Sequence, residues 1–237
     1  MTEQLYLSQC YMREFKATVT KVEGRLVVLD KTAFYAEGGG QPSDTGDMLT
    51  QEGRLFKVLF VKKISDSIYH EVDKEGMQIG DVVHGTINWD RRSKLMRYHT
   101  AAHLLSAVVN KETGALISGN QLNTDKARID FSLENYTPEM LKQFQDKTNE
   151  LINQKLPVSI RWMTRAEINQ NPTLVKLMMG IPETIQQVRI IAIGDYEASP
   201  CGGTHIANLS EIGSIEITGT ENKGKNNRRV YFVVRPS

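Results

Sequence analysis

Between Tyr11 and about Asn88, apolar and polar positions alternate in short runs, over residues 17–22, 25–29, 55–61, 67–72 and 82–87. A period of two marks strands with one buried face. Turn signals separate the runs, at Glu23-Gly24, across 38–46, and at Glu52-Gly53, Glu75-Gly76 and Gly80-Asp81, which is the punctuation of a small all-β barrel or sandwich. The pattern changes at Trp89-Asp90. From Asp90 to about Glu112 the spacing becomes helical, with Leu95, His99, Ala102 and Ser106 on one stripe. This predicts a helix capped by Asp90, stopped by Gly114 and burying that stripe.

Further along, 115–123 mixes apolar residues with Ser118, Asn120 and Gln121, and 127–132 alternates as a strand does. Thr137-Pro138-Glu139 opens a second helix, in which Met140, Phe144, Thr148, Leu151 and Ile152 keep helical spacing as far as Gln154 before Pro157 breaks it. A strand over 158–162, a short capped helix over 164–170, a further helix over 173–179 stopped by Gly180, and a strand over 188–193 follow. The adjacent Met178 and Met179 are expected to fill core gaps. Segments 214–219 and 229–234 form a closing antiparallel hairpin joined by a basic loop over 221–228. The expected fold is α+β: a small N-terminal β-barrel domain over 1–89, with a glycine-rich loop, followed by an α+β domain over 90–237. No long linker divides them.

Composition changes this picture little. With 237 residues, 40% of them hydrophobic and 24% charged, the chain is an ordinary globular protein large enough for one large or two small cores. It has no apolar run of about 18 residues to span a bilayer, and its start, Met1-Thr2-Glu3-Gln4, lacks the basic and apolar regions of a leader, so a cytoplasmic protein without membrane association is expected. A net charge of +1 excludes a generic polyanion binder. Locally, Arg91, Arg92, Lys94 and Arg97 cluster on the first helix, and Lys223, Lys225, Arg228 and Arg229 near the C-terminus. Either cluster can neutralise phosphates or simply be a solvated face.

The chemistry is concentrated elsewhere. His99 and His103 stand four apart on the predicted helix, so their imidazoles share one face, and Cys201-Gly202-Gly203-Thr204-His205 presents a second pair four apart in a tight loop. The chain has only five histidines and two cysteines, and four of these seven fall in the two pairs. Three imidazoles and a thiolate suit the tetrahedral preference of Zn²⁺, although four protein ligands are also the signature of a closed structural site. Cys10 and Cys201 could form one disulfide, but the setting of Cys201 beside glycines and a histidine favours a metal ligand. In the β block, Gly38-Gly39-Gly40-Gln41-Pro42-Ser43-Asp44-Thr45-Gly46 gives up packing for bare backbone, yet lacks the Gly-Lys-Ser/Thr ending of a loop that cradles a nucleoside triphosphate. Thr100, Ala101 and Ala102 lie between the paired histidines, so the His-Glu-x-x-His base of a zinc peptidase is absent.

These three motifs, in this order and across nearly the whole chain, resemble the AlaX family of free-standing alanyl-tRNA editing proteins, specifically its medium-length class with the Gly-Gly-Gln loop. The family is similar to the editing domain of alanyl-tRNA synthetase. The second and third motifs also resemble the editing domain of threonyl-tRNA synthetase, but the glycine loop in a preceding β domain favours the alanine family. The resemblance implies a zinc-dependent editing domain over 90–237, with His99, His103, Cys201 and His205 holding Zn²⁺. It implies ATP-independent hydrolysis, in trans, of the ester on mischarged tRNA(Ala), with serine and also glycine removed from the tRNA 3′ end. Candidate substrate-pocket residues are Thr100, Gly39, Gly40, Gln41, Ser118, Asn120, Gln121, Gly202, Gly203 and Thr204. Family members often carry a threonine in the segment where this chain has Ser118-Gly119-Asn120-Gln121, so the hydroxyl sensor is open. Both basic clusters become candidate RNA contacts, and a monomer or weak homodimer is expected. The alternatives are a zinc-stabilised tRNA-binding module without catalysis and a zinc hydrolase of a small ester or amide.

Overall fold

The computed structural model describes residues 1–176, 178 and 185–236. The chain forms two compact units, Met1–Leu95 and Met96–Ser237.

In the first unit, β1 (Glu3–Gln4) is followed by β2 (Glu14–Glu23), β3 (Leu26–Leu29), β4 (Lys31–Thr32), β5 (Gly46–Thr50), β6 (Leu55–Ile64), β7 (Ser67–Val72) and β8 (Val82–Ile87). Six of these close a barrel in the order β2-β3-β7-β6-β5-β8, while β1 pairs in parallel with β4 outside it. The strand that alternation did not reveal is β5, five residues directly behind the glycine loop with only Met48 and Thr50 buried. It closes the barrel between β6 and β8. A Cβ at Gly46 would overlap the Thr86 carbonyl oxygen, so glycine is what lets β5 approach β8. Inward residues including Phe15, Phe34, Met48, Phe56 and Ile68 fill the interior.

Among the polar side chains buried in this unit, His70 and Arg92 are both satisfied. His70 is fully buried; Nδ1 donates to the Val27 carbonyl at 3.1 Å, leaving Nε2 to accept from the Thr32 hydroxyl at 2.8 Å. Burial holds its pKa down at about 4. Arg92, expected at the surface as a phosphate contact, is also fully buried. Its Nε donates to both Asp44 oxygens at 2.9 Å, Nη1 to the Cys10 carbonyl at 2.9 Å and Nη2 to the Ala33 carbonyl at 2.6 Å. The guanidinium thus ties the start of α1 (Trp89–Thr113) to the glycine loop's Asp44, and Arg92 is a structural charge rather than a phosphate contact.

Beyond α1 come β9 (Ile117–Leu122), β10 (Ala127–Phe131), α2 (Pro138–Asn153), β11 (Val158–Thr164), α3 (Arg165–Gln170), β12 (Gln187–Ile193), β13 (Glu197–Pro200), β14 (Ser214–Asn222) and β15 (Arg228–Arg235). They make an antiparallel sheet β14-β15-β10-β9 and a second, β11-β12-β13. Asn149 and Gln145 of α2 hydrogen-bond the backbone of Ile215 and Ile217, covering the β14 edge. Thr137 caps α2 by accepting from the Met140 amide, with Pro138 in its first turn, and a Thr164–Glu167 capping box starts α3. A barrel followed by an α+β unit is the expected class.

Several local expectations change. Asn88 rather than Asp90 caps α1, its Oδ1 accepting from the Arg91 amide, while Asp90 is exposed and pairs with Lys94. The expected stripe is buried, but so are Met96, Tyr98, Ala101, Leu104, Leu105, Ala107, Val108 and Val109, so α1 is buried nearly all round. In place of a helix start at 173, Pro172–Leu174 makes one 3₁₀ turn; residues 177 and 179–184, with the expected stop at Gly180, lie outside the described residues. Met178 is exposed rather than filling the core, and Met179 lies outside the described residues. Among the described residues no helix is long and apolar enough to cross a membrane.

Arg92→Leu is expected to lower unfolding free energy by about 3–5 kcal/mol, because it strands the buried Asp44 carboxylate, whereas the half-buried Arg91→Leu should cost much less. Denaturant titration compares them. His70 makes the barrel acid-sensitive. Its folded pKa lies below the unfolded value, so the unfolded chain binds the proton first, and stability falls as pH drops from about 6.5 towards 4. From pH 8 to pH 5 this group alone should remove about 2 kcal/mol, a loss that His70→Gln should lack.

Candidate metal centre

Two structural elements supply the site. On α1, positions 99 and 103 are one turn apart, which places the His99 and His103 rings 5.2 Å apart. The turn after β13 brings up Cys201 and His205, with the His205 ring 4.4 Å from His99 and 4.8 Å from His103. One ligand atom from each of the four residues lies within 4.8 Å of the others, and the cluster could hold a metal ion. Cys201 Sγ is 3.4 Å from His99 Nε2 and 3.3 Å from His205 Nε2.

Hydrogen bonds behind the cluster aim these atoms. His205 Nδ1 lies 3.1 Å from Thr100 Oγ1, and His103 Nδ1 lies 3.0 Å from Ser199 Oγ. With the proton on each Nδ1 donated to the hydroxyl, each Nε2 keeps its lone pair for a cation. Arg189, buried on β12, donates from Nη1 to the carbonyls of Cys201 and Gly203 at 2.7 and 2.8 Å and so fixes the loop. The Gly203 amide donates to Cys201 Sγ at 3.3 Å. Burial, with repulsion from His103 and Arg189, holds His99 well below the ordinary imidazole range. Burial also holds His205 there, with added repulsion from His99, His103 and Arg189, and it holds His103 at about 4 against the opposing pull of Glu197. Neutral imidazoles beside a thiol form a donor set suited to a soft or borderline cation. His99 and His205 are buried, whereas His103 and Cys201 are half-buried and Gly202 is exposed, so the cluster is open on the loop side.

The other pocket candidates scatter. Thr100 is committed to His205 and to the Ile206 amide, and Thr204 is buried in the loop. Gly39 and Gly40 have φ of 57° and 82°, and Gly38 and Gln41 exchange backbone hydrogen bonds. Gln41 is fully buried, so this loop is a closed turn. Asn120 and Gln121 point to opposite faces of β9, and therefore cannot line one pocket together. Gln121 is exposed and accepts from Arg128 Nε; Asn120 shares the inner face with Ile129 and Val230, and its buried Oδ1 has no hydrogen-bond partner among the described residues. Ser118 is engaged with the Asp130 carbonyl and Asn227.

The basic residues have separate fates as well. Arg91 donates to the Ser43 carbonyl, Lys94 pairs with Asp90, and Arg97 is half-buried. Lys223 pairs with Glu221, Lys225 is exposed, Arg228 donates to the Glu134 and Gly224 carbonyls, and Arg229 is paired with Asp130 and Glu221. Sequence reasoning missed Ser199 and Arg189. A lone arginine inside the apolar strand 188–193 was the available signal, since an unpaired charge is rarely buried.

The family described as "tRNA synthetases class II (A)" matches residues 3–91, and that described as "Threonyl and Alanyl tRNA synthetase second additional domain" matches residues 188–231. An alanyl-tRNA editing protein AlaX-M of Methanosarcina barkeri is 46% identical over 99% of this chain and 99% of its own. One from Saccharolobus solfataricus is 39% identical over 100% of both. An alanine–tRNA ligase of Thermococcus kodakarensis is 38% identical over 98% of this chain but only 25% of the ligase.

Metal analysis after dialysis is expected to find one divalent ion per chain, lost in Cys201→Ala. Thr100→Val removes the hydroxyl behind His205 and should weaken metal binding about 10- to 100-fold in a chelator competition.

Proposed function

The chain belongs to the AlaX-M family of alanyl-tRNA editing proteins, and from that premise we propose that it hydrolyses, in trans, the ester of mischarged tRNA(Ala), removing serine and also glycine, with Zn²⁺ held by His99, His103, Cys201 and His205. The observation that carries this reading is the four-donor cluster, open on its loop side, in a chain that aligns end to end with named editing proteins. We assign the deacylation chemistry to the second unit, after the barrel domain.

When bound, zinc supplies a Lewis acid beside the ester. The protein's own part is positioning. Thr100 and Ser199 orient the imidazoles, and Arg189 holds the Cys201–Gly203 turn. Gly202 is not among the glycines with a positive φ, and a Cβ there would meet nothing within 4 Å. Neither a left-handed φ nor a steric clash requires this glycine, and its bare backbone is assigned to close approach by the substrate. For the serine hydroxyl, Asn120 is the best-suited of the side chains on α1 and β9: the hydroxyls or amides of Thr100, Ser118 and Gln121 are already engaged, while the Asn120 Oδ1 acceptor is buried and unpaired among the described residues. A site that hydrogen-bonds a hydroxyl discriminates strongly against a substrate lacking it. Phosphate contacts are assigned to Lys223, Lys225, Lys94 and Arg97.

The four-ligand set also favours a second reading, a zinc-stapled tRNA-binding module, because closed structural sites use four protein ligands. Single-turnover deacylation of seryl-, glycyl- and alanyl-tRNA(Ala) separates the two. Loss of the seryl and glycyl esters with the alanyl ester spared is expected, with activity abolished in a folded His103→Ala; no turnover of any ester by folded, metal-loaded protein would leave the binding module. Gly202→Ala should keep metal affinity and thermal stability yet slow deacylation at least tenfold, and Asn120→Ala should slow seryl more than glycyl release.

A further inference from the structure

The outer face of the β14-β15-β10-β9 sheet carries a cavity of about 300 Å³, lined by Gln121, Asn123, Lys126, Arg128, Arg229 and Tyr231. The register explains why these residues meet. Gln121, Arg128 and Tyr231 stand opposite one another across β9, β10 and β15, and Asp130 and Arg229 form the adjacent row on the same face. Asp130 anchors both guanidiniums: Arg128 Nη1 reaches Oδ2 at 2.9 Å, while Arg229 Nε and Nη2 reach Oδ1 at 2.7 Å and Oδ2 at 2.9 Å. Gln121 Oε1 accepts from Arg128 Nε at 3.2 Å, and the Tyr231 hydroxyl donates to Glu221 at 3.0 Å. Four cations, Lys126, Arg128, Arg229 and the Lys223 that also pairs with Glu221, thus face two carboxylates, Asp130 and Glu221. Lys126 is exposed and has no side-chain partner among the described residues.

We propose that this cavity binds one nucleotide of an RNA strand, its phosphate on Lys126 and Arg128 and its base against the Tyr231 ring. Guanidiniums already fixed by Asp130 lose little freedom on meeting a phosphate. A cationic groove with an aromatic surface is how single-stranded nucleic acid is held, and the Asn123 and Gln121 amides offer hydrogen bonds to a base edge or ribose. The volume lies at the small end of ligand sites, enough for a nucleotide rather than an extended ligand. None of these residues belongs to the metal cluster, and Lys126, Arg128 and Tyr231 are in neither basic cluster evident in the sequence. The inference rests on the reading that the partner is tRNA.

The test is equilibrium binding of non-acylated tRNA(Ala) to metal-loaded protein across a salt series, for the unaltered chain, Lys126→Glu and Tyr231→Ala, with circular dichroism to establish that the variants fold. Lys126→Glu should weaken binding about tenfold or more and lower the salt slope by about 1, because one phosphate contact is lost. Tyr231→Ala should weaken binding with the slope kept. Unchanged affinity and slope in both folded variants would overturn the site. A calorimetric titration with 5′-AMP forms the second arm: binding of AMP that Lys126→Glu abolishes, with tRNA affinity unaltered, would overturn the RNA assignment in favour of a free nucleotide. Deacylation by the unaltered chain is measured alongside. Turnover without an effect of either substitution on binding defeats this inference alone, whereas absence of both turnover and tRNA binding defeats the functional reading.

Discussion

A helix buried along most of its length can carry polar side chains only where each finds a partner, and α1 buries Arg92, His99, Thr100 and Ser106. Much of the site's arrangement follows from that demand. Arg92, in the first turn, is satisfied by Asp44 and two carbonyls in the N-terminal unit. Two turns later Thr100 meets His205, and on the next turn His103 meets Ser199. Within the first unit the helix start holds the glycine loop through one buried charge; within the second, its later turns bring two imidazoles to the cluster that could hold a metal ion. The cost of an unpaired polar group in a dry environment, several kcal/mol per ion, keeps these partners in register.

Burial alone does not make a ligand. His70 and His99 are both buried imidazoles, and burial pushes both towards the neutral form. The nitrogens of His70 are both consumed, by Val27 and Thr32, so nothing remains to coordinate. At the candidate metal centre the outer nitrogens of His103 and His205 are occupied, while their inner ones converge with His99 and Cys201. What distinguishes the cluster is that four donor atoms converge on one spot, which two i,i+4 pairs on different elements can produce and a lone histidine cannot.

This is also why the centre was legible in the sequence and other features were not. The candidate ligand pairs, the Thr137 cap and the Thr164 capping box are local signals between residues no more than four apart. Arg92 read as part of a basic surface cluster because its partner Asp44 lies 48 positions away, and spacing says nothing of such a pair. The β5 strand is short, follows a glycine loop and buries only two side chains, too few for alternation to register. Asn120 and Gln121 were grouped by adjacency, although the strand's own period of two sends neighbours to opposite faces. Only the cross-strand register could show that Gln121 keeps company with Arg128 and Tyr231 instead.

A chain with a net charge of +1 has no strong overall field with which to attract a polyanion. Recognition must then come from places where cations are concentrated and held still. Most arginines here are occupied in a way that net charge conceals: Arg92 by Asp44, Arg228 by backbone carbonyls, Arg189 by the ligand loop. On the outer sheet face a single carboxylate, Asp130, holds two guanidiniums, so pairing fixes their geometry without cancelling the charge. Four cations against two carboxylates is a small excess, but one set around a concave surface with an aromatic wall, where the proposed phosphate would be met by donors already in place. In a nearly neutral protein, such an anchored excess would give the proposed RNA site more specificity than a flexible run of lysines.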